Sequence, residues 1–204
     1  MRLYLSSFRL GRHAERLRTM VGPGRRTALV PNALDAAPPK VRREGLQSDI
    51  DELTRAGLLV TVADLTDPAV TAGLADFDLV WVRGGNVFVL RRAMADSGAD
   101  RELRRLVEED AFVYGGYSAG GCVLAPELSA LAAVDDVTAV QAPITVGLGL
   151  LDRPFVPHVD SPRHPESPAC DGIAAAYRSR GEPHWALRDG EVLVVDRQGA
   201  RLLT

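Results

Sequence analysis

The chain has 204 residues, 46% of them hydrophobic and 25% charged, with a formal net charge of −3. That is enough chain for one substantial core, and residues 1–204 read as a single domain. Mild acidity and dispersed arginines exclude a nucleic-acid partner from the expectation, and the absence of a bilayer-length apolar run does the same for a membrane.

Arg2 to Ser6 reads as a first strand, and the start of the chain turns polar and arginine-rich where a secretory signal would turn apolar. The basic segment Gly11 to Met20 suits a helix, and Thr27 to Pro31 a second strand. Lys40 to Ala56 carries apolar residues at helical spacing (Val41, Leu46, Ile50, Leu53) and stops at Gly57, a C-cap. Leu58 to Val62 follows as a third strand and Pro68 to Leu74 as a helix. Asp78 to Val82 is a fourth strand, running into Arg83-Gly84-Gly85-Asn86, where another helix starts. Glu102 to Glu109 is an amphipathic helix, and Ala111 to Tyr114 a fifth strand. Val137 to Ile144 has the look of a strand, Phe155-Val156 is strand-like, and Pro165 to Arg180 is helical. Two runs, His184 to Leu187 and Val192 to Val195, flank Arg188-Asp189-Gly190, which reads as a hairpin turn. Continuous apolar strands separated by helices predict an α/β fold with a mostly parallel sheet covered on both faces. Ligands on such sheets bind beyond the carboxyl ends of strands.

Chemistry concentrates at one such end. Gly116-Tyr117-Ser118-Ala119-Gly120 places one hydroxyl in a Gly-x-Ser-x-Gly frame between a strand and a short apolar run suited to a helix. A sharp strand-to-helix turn there lifts the serine Oγ out of the sheet over the positive end of the helix. A serine needs a base, and the base an orienting acceptor. Of four histidines, His13 reads as a surface group, whereas His158, His164 and His184 each stand near a strand end or in the loop beyond it. The candidate acids are Asp160, Glu182, Asp189 and Glu191, although Asp-Gly is also what a tight turn wants. Gly84-Gly85-Asn86 can expose backbone amides toward an oxyanion, with the amide of Ala119 as a second donor. No metal or other cofactor is expected, since His158, Asp160, His164 and Glu166 lie in a proline-broken loop without a recognised ligand spacing. Cys122 and Cys170 also lack metal-type spacing, and two free thiols suit a cytoplasmic protein.

The ordered set Arg83-Gly84-Gly85-Asn86, Gly116-Tyr117-Ser118-Ala119-Gly120, Pro157-His158 and Leu187-Arg188-Asp189-Gly190 resembles the peptidase E family of serine peptidases, which includes α-aspartyl dipeptidase. The resemblance covers nearly the whole chain. It implies a class I glutamine amidotransferase-like, flavodoxin-like fold with serine in place of the usual cysteine. It implies Ser118 as nucleophile, His158 as base, Asp189 as the third, acidic member, and Gly85 beside the oxyanion. It further implies an enzyme that hydrolyses short peptides through an acyl-enzyme. Glu166 to Gly172, where α-aspartyl dipeptidase holds an arginine for the substrate's aspartate, contains none, so strict Asp-X specificity is not expected. Arg163 nearby and Arg83 and Asn86 beside the oxyanion loop are the substrate-binding candidates. Two other classes stay open on the residues alone. An α/β-hydrolase-type esterase orders its triad Ser, acid, His, an order that only His184 could complete. A non-catalytic amidotransferase-like binding module would use the same fold without turnover.

Overall fold

The structure is a computed structural model describing residues 1–204. Seven strands form the main sheet: β1 (Leu3–Ser6), β2 (Arg26–Val30), β3 (Leu59–Val62), β4 (Leu79–Val82), β5 (Val113–Tyr117), β8 (Val192–Asp196) and β9 (Gly199–Leu203). Their order is β3-β2-β4-β5-β1-β8-β9; the first five are parallel, and β8 and β9 extend the sheet antiparallel beyond β1. Two short strands, β6 (Phe155–Val156) and β7 (Trp185–Ala186), pair parallel as a separate sheet.

Strand alternation explains why helices are needed on both faces. Leu3, Leu5, Val80, Val82 and Tyr114 point to one side, and Tyr4, Leu79, Trp81, Val113 and Tyr117 to the other. The first side is covered by α4 (Val87–Ser97), α5 (Ala99–Glu108), α6 (Ala119–Cys122) and α7 (Ser167–Ser179), with α3 (Pro68–Gly73) at its margin. The second is covered by α1 (Ala14–Val21) and α2 (Pro39–Arg55). The larger helices bury apolar residues against the sheet, and β1, β4 and β5 at its centre are removed from water on both faces, whereas the edge strands β3 and β9 stay largely exposed. No helix is long and apolar enough to cross a membrane.

The fold class, a mostly parallel α/β sheet, is as the sequence implied, but the C-terminal part differs in three places. Val137 to Ile144 is not a strand: Val137–Ala139 is a single 3-10 turn, the segment beyond it is irregular and largely exposed, and the chain meets a partner only after it, in the isolated bridge between Val146 and Glu127. The runs around Arg188-Asp189-Gly190 are not a hairpin. The turn closes, with the Glu191 amide donating to Arg188, but β7 pairs with β6 while β8 joins β1. The real hairpin joins β8 to β9 around Arg197-Gln198. Finally, β5 runs on to Tyr117 through two glycines. A Cβ at Gly115 would stand 2.5 Å from the Trp81 ring, so only glycine continues the strand there.

The helix α6 sits directly on the end of β4. A Cβ at Gly120 would collide with the Val82 carbonyl oxygen, a backbone atom unable to turn aside. Gly120→Ala is therefore expected to destabilise the fold by about 2 kcal/mol or more, the cost of overpacking a closed contact; thermal melts of the variant against wild type measure it.

Candidate active site

Ser118 occupies the turn between β5 and α6 with φ 48° and ψ −120°, a conformation that non-glycine residues rarely adopt. The turn is fixed from both ends. The Ser118 amide donates to the Ser6 carbonyl at 3.4 Å, and its own carbonyl accepts from the amides of Gly121 and Cys122 at 2.8 and 2.9 Å. The loop after β4 presses against it, since a Cβ at Gly84 would lie 3.0 Å from Ser118 Cβ. Gly85 has φ 143° and touches the Ala33 carbonyl so closely that a Cβ would come within 2.6 Å of its oxygen. Neither the Gly85 amide nor that of Ala119, at the first position of α6, donates to an acceptor within the protein.

His158 follows β6 and is buried, with φ 59°. Its Nδ1 lies 2.7 Å from Asp189 Oδ1. Ser7, just past β1, serves both partners: its Oγ donates to Asp189 Oδ1 at 2.8 Å and accepts the His158 amide at 2.8 Å. The Asp189 amide is bound in turn by Ser161 Oγ at 2.8 Å. Burial pushes the Asp189 carboxyl up, but the hydrogen bonds from His158 and Ser7 outweigh it and hold the group below the usual carboxylate range. The rings of His158 and His164 stack face to face, centroids 3.5 Å apart and planes 2° from parallel, and Phe8 packs edge-on against both. Ser118 and His158 line one cleft of about 190 Å³ with Phe8, Arg83, Gly85 and Glu166. Their side chains share it without a direct hydrogen bond, a contact often completed only when substrate closes the site.

The structure thus brings Ser118, His158, Asp189, Gly85 and Ala119 together, and gives the other candidates different surroundings. Arg83 lines the cleft but is buried, its Nε 2.6 Å from Asp49 and its Nη2 donating to the Tyr117 hydroxyl at 3.1 Å. Asn86, expected to bind substrate, is the N-cap of α4: its Oδ1 accepts from the amides of Phe88 and Val89, and its Nδ2 donates to the Asp136 carbonyl. Arg163 is exposed and lines a neighbouring depression rather than the Ser118 cleft. His184 bonds the Glu182 carbonyl and stacks on Tyr177. Asp160 pairs with Arg188, Glu182 with Arg180, and Glu191 caps the Arg188 amide. Of the loop groups weighed as metal ligands, His158, His164 and Glu166 have donor atoms within 4.8 Å of one another. However, two parallel stacked rings do not aim their lone pairs at one point, and His158 Nδ1 already serves Asp189. Cys122 and Cys170 are free and buried, and burial above all raises both thiols, Cys170 to about 12.

Three residues escaped the sequence reading. Ser7 was discoverable, because it follows the strand that lies beside β5, at the carboxyl edge where such sheets bind ligands. Ser161 and Asp135 carry no local signal. Asp135 accepts the Val87 amide at 2.8 Å, which fixes the start of α4 beside Gly85. Burial, with a further contribution from the negative charge of Glu166, pushes its carboxyl up to about 7.

A strained serine at a strand-to-helix turn, at the carboxyl ends of parallel strands and beside a buried imidazole, places the chain among α/β proteins with a nucleophile-elbow type of turn. The chain belongs to Peptidase family S51, whose family model matches residues 9–203. It is similar in structure to a candidate peptidase E protein from Listeria monocytogenes EGD-e, with TM-score 0.83 and 19% identity over 99% of this chain and 97% of that one. It is also similar to a peptidase from an acI-B1 Actinobacterium, with TM-score 0.70 and 14% identity over 99% and 86% of the two chains. At these identities the likenesses establish the fold. No curated relative matches the sequence significantly.

Asp135 gives a pH-dependent prediction. A carboxyl raised from 3.8 to about 7 keeps in the folded state a proton that the unfolded chain releases, so wild-type stability falls as pH rises across that window. Asp135→Asn keeps an acceptor for Val87 and removes the charge. Its stability relative to wild type is expected to improve steadily from pH 4 to pH 7, by up to a few kcal/mol, in melts recorded across that range.

Proposed function

We propose that the protein is a serine peptidase of short peptides, working through Ser118, His158 and Asp189. The observation that carries the reading is the 2.7 Å contact of Asp189 with His158 Nδ1, the histidine lining the cleft that holds the strained Ser118. With Nδ1 engaged, His158 has Nε2 for proton transfer. Ser118 Oγ attacks the scissile carbonyl while its proton passes to His158, and the tetrahedral oxyanion is received by the amides of Gly85 and Ala119. Collapse breaks the C–N bond as His158 returns the proton to the leaving amine. Water, deprotonated by His158, then attacks the ester carbonyl, and the proton returns to Ser118 as the acid leaves.

A cleft of about 190 Å³ suits a short substrate. Strict selection of N-terminal aspartate is not expected. Arg163 lies outside the cleft, and the two cleft arginines already hold acids, Arg83 with Asp49 and Arg9 with Glu52 at 3.6 Å. The esterase order has no support, because His184 does not line the cleft and its ring is engaged elsewhere. Two backbone amides that no protein group engages, and a buried imidazole with a half-buried acid partner, argue likewise against a module without turnover.

Ser118→Ala is expected to lose hydrolysis of alanyl-leucine by about a thousandfold or more and to abolish fluorophosphonate labelling, with an unchanged fold. Retained turnover would refute the assignment. Ser118→Gly should be equally inactive yet more stable than wild type by about 1 kcal/mol, since glycine relieves the positive-φ strain.

Ser7→Ala tests the clamp on the imidazole. Losing one hydroxyl that holds both His158 and Asp189 is expected to lower kcat roughly tenfold, about one hydrogen bond's worth, with little change in KM. Ser7→Thr restores the hydroxyl and should recover most of the rate; equal losses in both variants would count against positioning by the hydroxyl.

A further inference from the structure

The charges lining the Ser118 cleft do not cancel. Arg9 and Arg83 are each engaged with an acid, Glu52 and Asp49 respectively, and Arg9 also donates to Ser48 Oγ. Glu166 is different. It is half-buried, lines the cleft with Ser118, and its carboxylate forms no salt bridge and accepts no hydrogen bond. Its position makes this more notable, because Glu166 is the N-cap residue of α7, where a carboxylate ordinarily turns back onto the free amides of its own helix. Here no such cap bond forms: the backbone of Glu166 is engaged, its amide donating to His164 Nδ1 at 3.3 Å and its carbonyl accepting from Ala169 and Cys170, while the carboxylate itself has no partner.

A second acid stands behind it. Burial above all, with the negative charge of Glu166 adding to it, raises the Asp135 carboxyl to about 7, so the two acids lie in one region and neither supplies the other with a counter-charge. That region lies on the α4 and α7 face of the sheet, whereas Arg83, Asp49 and Tyr117 lie on the α2 face, with Ser118 at the crest between them. One side of the cleft is thus electrostatically closed, its cation already matched, and the other offers a carboxylate without a counter-charge. A carboxylate withdrawn from water and left unpaired is costly, and an incoming cation removes that cost.

From this arrangement we infer that Glu166 determines specificity by receiving an ammonium group of the substrate, supplied either by the free N-terminus of the peptide or by a lysine side chain. The inference rests on the peptidase reading and deepens it, naming a positively charged acyl part as the preferred substrate class. The interaction is made at the cleft edge, away from the reacting atoms, and so acts on binding. The carboxylate lies within 4.8 Å of the ring nitrogens of His158 and His164, so a role toward the imidazole is the competing explanation. The two separate cleanly, because a role toward His158 affects every substrate alike.

The test uses three peptides: alanyl-leucine, N-acetyl-alanyl-leucine and N-acetyl-lysyl-leucine. Their binding to Ser118→Ala is measured by calorimetry, so the outcome does not depend on turnover, and kcat/KM is measured on the wild type. At least one ammonium-bearing peptide is expected to bind the variant tenfold or more tightly than N-acetyl-alanyl-leucine. Preference for the first peptide alone identifies the N-terminus, and for the third alone the side chain. Adding Glu166→Gln should erase the preference, and Glu166→Lys should reverse it. The inference is overturned if the ammonium-bearing peptides bind no better than the acetylated one, binding by none included. It is equally overturned if Glu166→Gln leaves the preference intact, or if it lowers kcat/KM for all three peptides by the same factor. Fluorophosphonate labelling of Ser118 is read separately: its absence with the ammonium preference retained would remove the peptidase reading and leave the cation site standing.

Discussion

The contact between Gly120 and the Val82 carbonyl is what the site depends on. With no side chain at position 120, α6 sits against the end of β4 with backbone touching backbone, and the Tyr114 hydroxyl fixes it by donating to the Gly120 carbonyl at 2.8 Å. The chain must then pass from β5 to α6 within one residue, which forces Ser118 to a positive φ. Such strain persists only when the surroundings over-determine it. Here they do, through Ser6 and the first turn of α6 on the backbone and through Gly84 against the Cβ. The same approach brings the loop after β4 over the start of α6, so the unpaired amides of Gly85 and Ala119 arise from a single packing event.

The imidazole and its acid reach the serine by a separate route. Parallel pairing of β6 with β7 sets Val156 beside Ala186, and the ladder continues with Leu187 donating to Val156 and Val159 to Leu187, both at 3.0 Å. His158 and Asp189 therefore leave the same end of a two-stranded sheet, one residue out of step, and their side chains meet. Phe155 and Val156 bury that small sheet in the core, and Ser7 binds the His158 backbone and the Asp189 carboxylate together and anchors both to the end of β1. Because β1 lies beside β5, the clamp and the serine share one rigid edge. Two independent pieces of chain are registered through neighbouring strands, as precise positioning of reacting groups requires.

This history explains what was legible in the sequence. The parallel sheet showed because β2, β4 and β5 are short, largely apolar runs, β4 and β5 punctuated by glycines near their carboxyl ends and β2 by Pro31-Asn32. The serine showed because its strained turn needs small neighbours, which leave a pattern. The Asp189 turn was misjudged for a physical reason: Asp-Gly specifies a local reversal and says nothing about which strands pair afterwards. β8 found a better partner in β1, whose buried residues Leu3 to Ser6 would otherwise have lost their ladder on that side. Asn86 was misjudged for a similar reason, since an asparagine after two glycines reads as a site residue when it is also an ideal helix cap. Ser161 and Asp135 are defined only by what they touch, and single residues of that kind leave no periodicity to read.

Arg83 shows how burial decides a role that sequence position leaves open. Standing beside the oxyanion loop, it looks suited to bind substrate. In the fold its guanidinium is engaged by Asp49 in a buried pair that the Tyr117 hydroxyl closes at 3.0 Å, leaving only Nη1 without a partner. Moving the arginine toward a substrate would strand Asp49, itself buried, at a cost of several kcal/mol. Breaking the pair is therefore dearer than any single contact it could offer in exchange, and Arg83 serves to hold α2 against the end of β4. In the proposed mechanism the oxyanion then relies on backbone amides, dipoles fixed by the packing of Gly120 and needing no reorganisation as charge develops. The cleft is left with neutral donors at its crest and one uncompensated carboxylate at its edge, so in the proposed mechanism charge selection and charge stabilisation fall to different parts of the site.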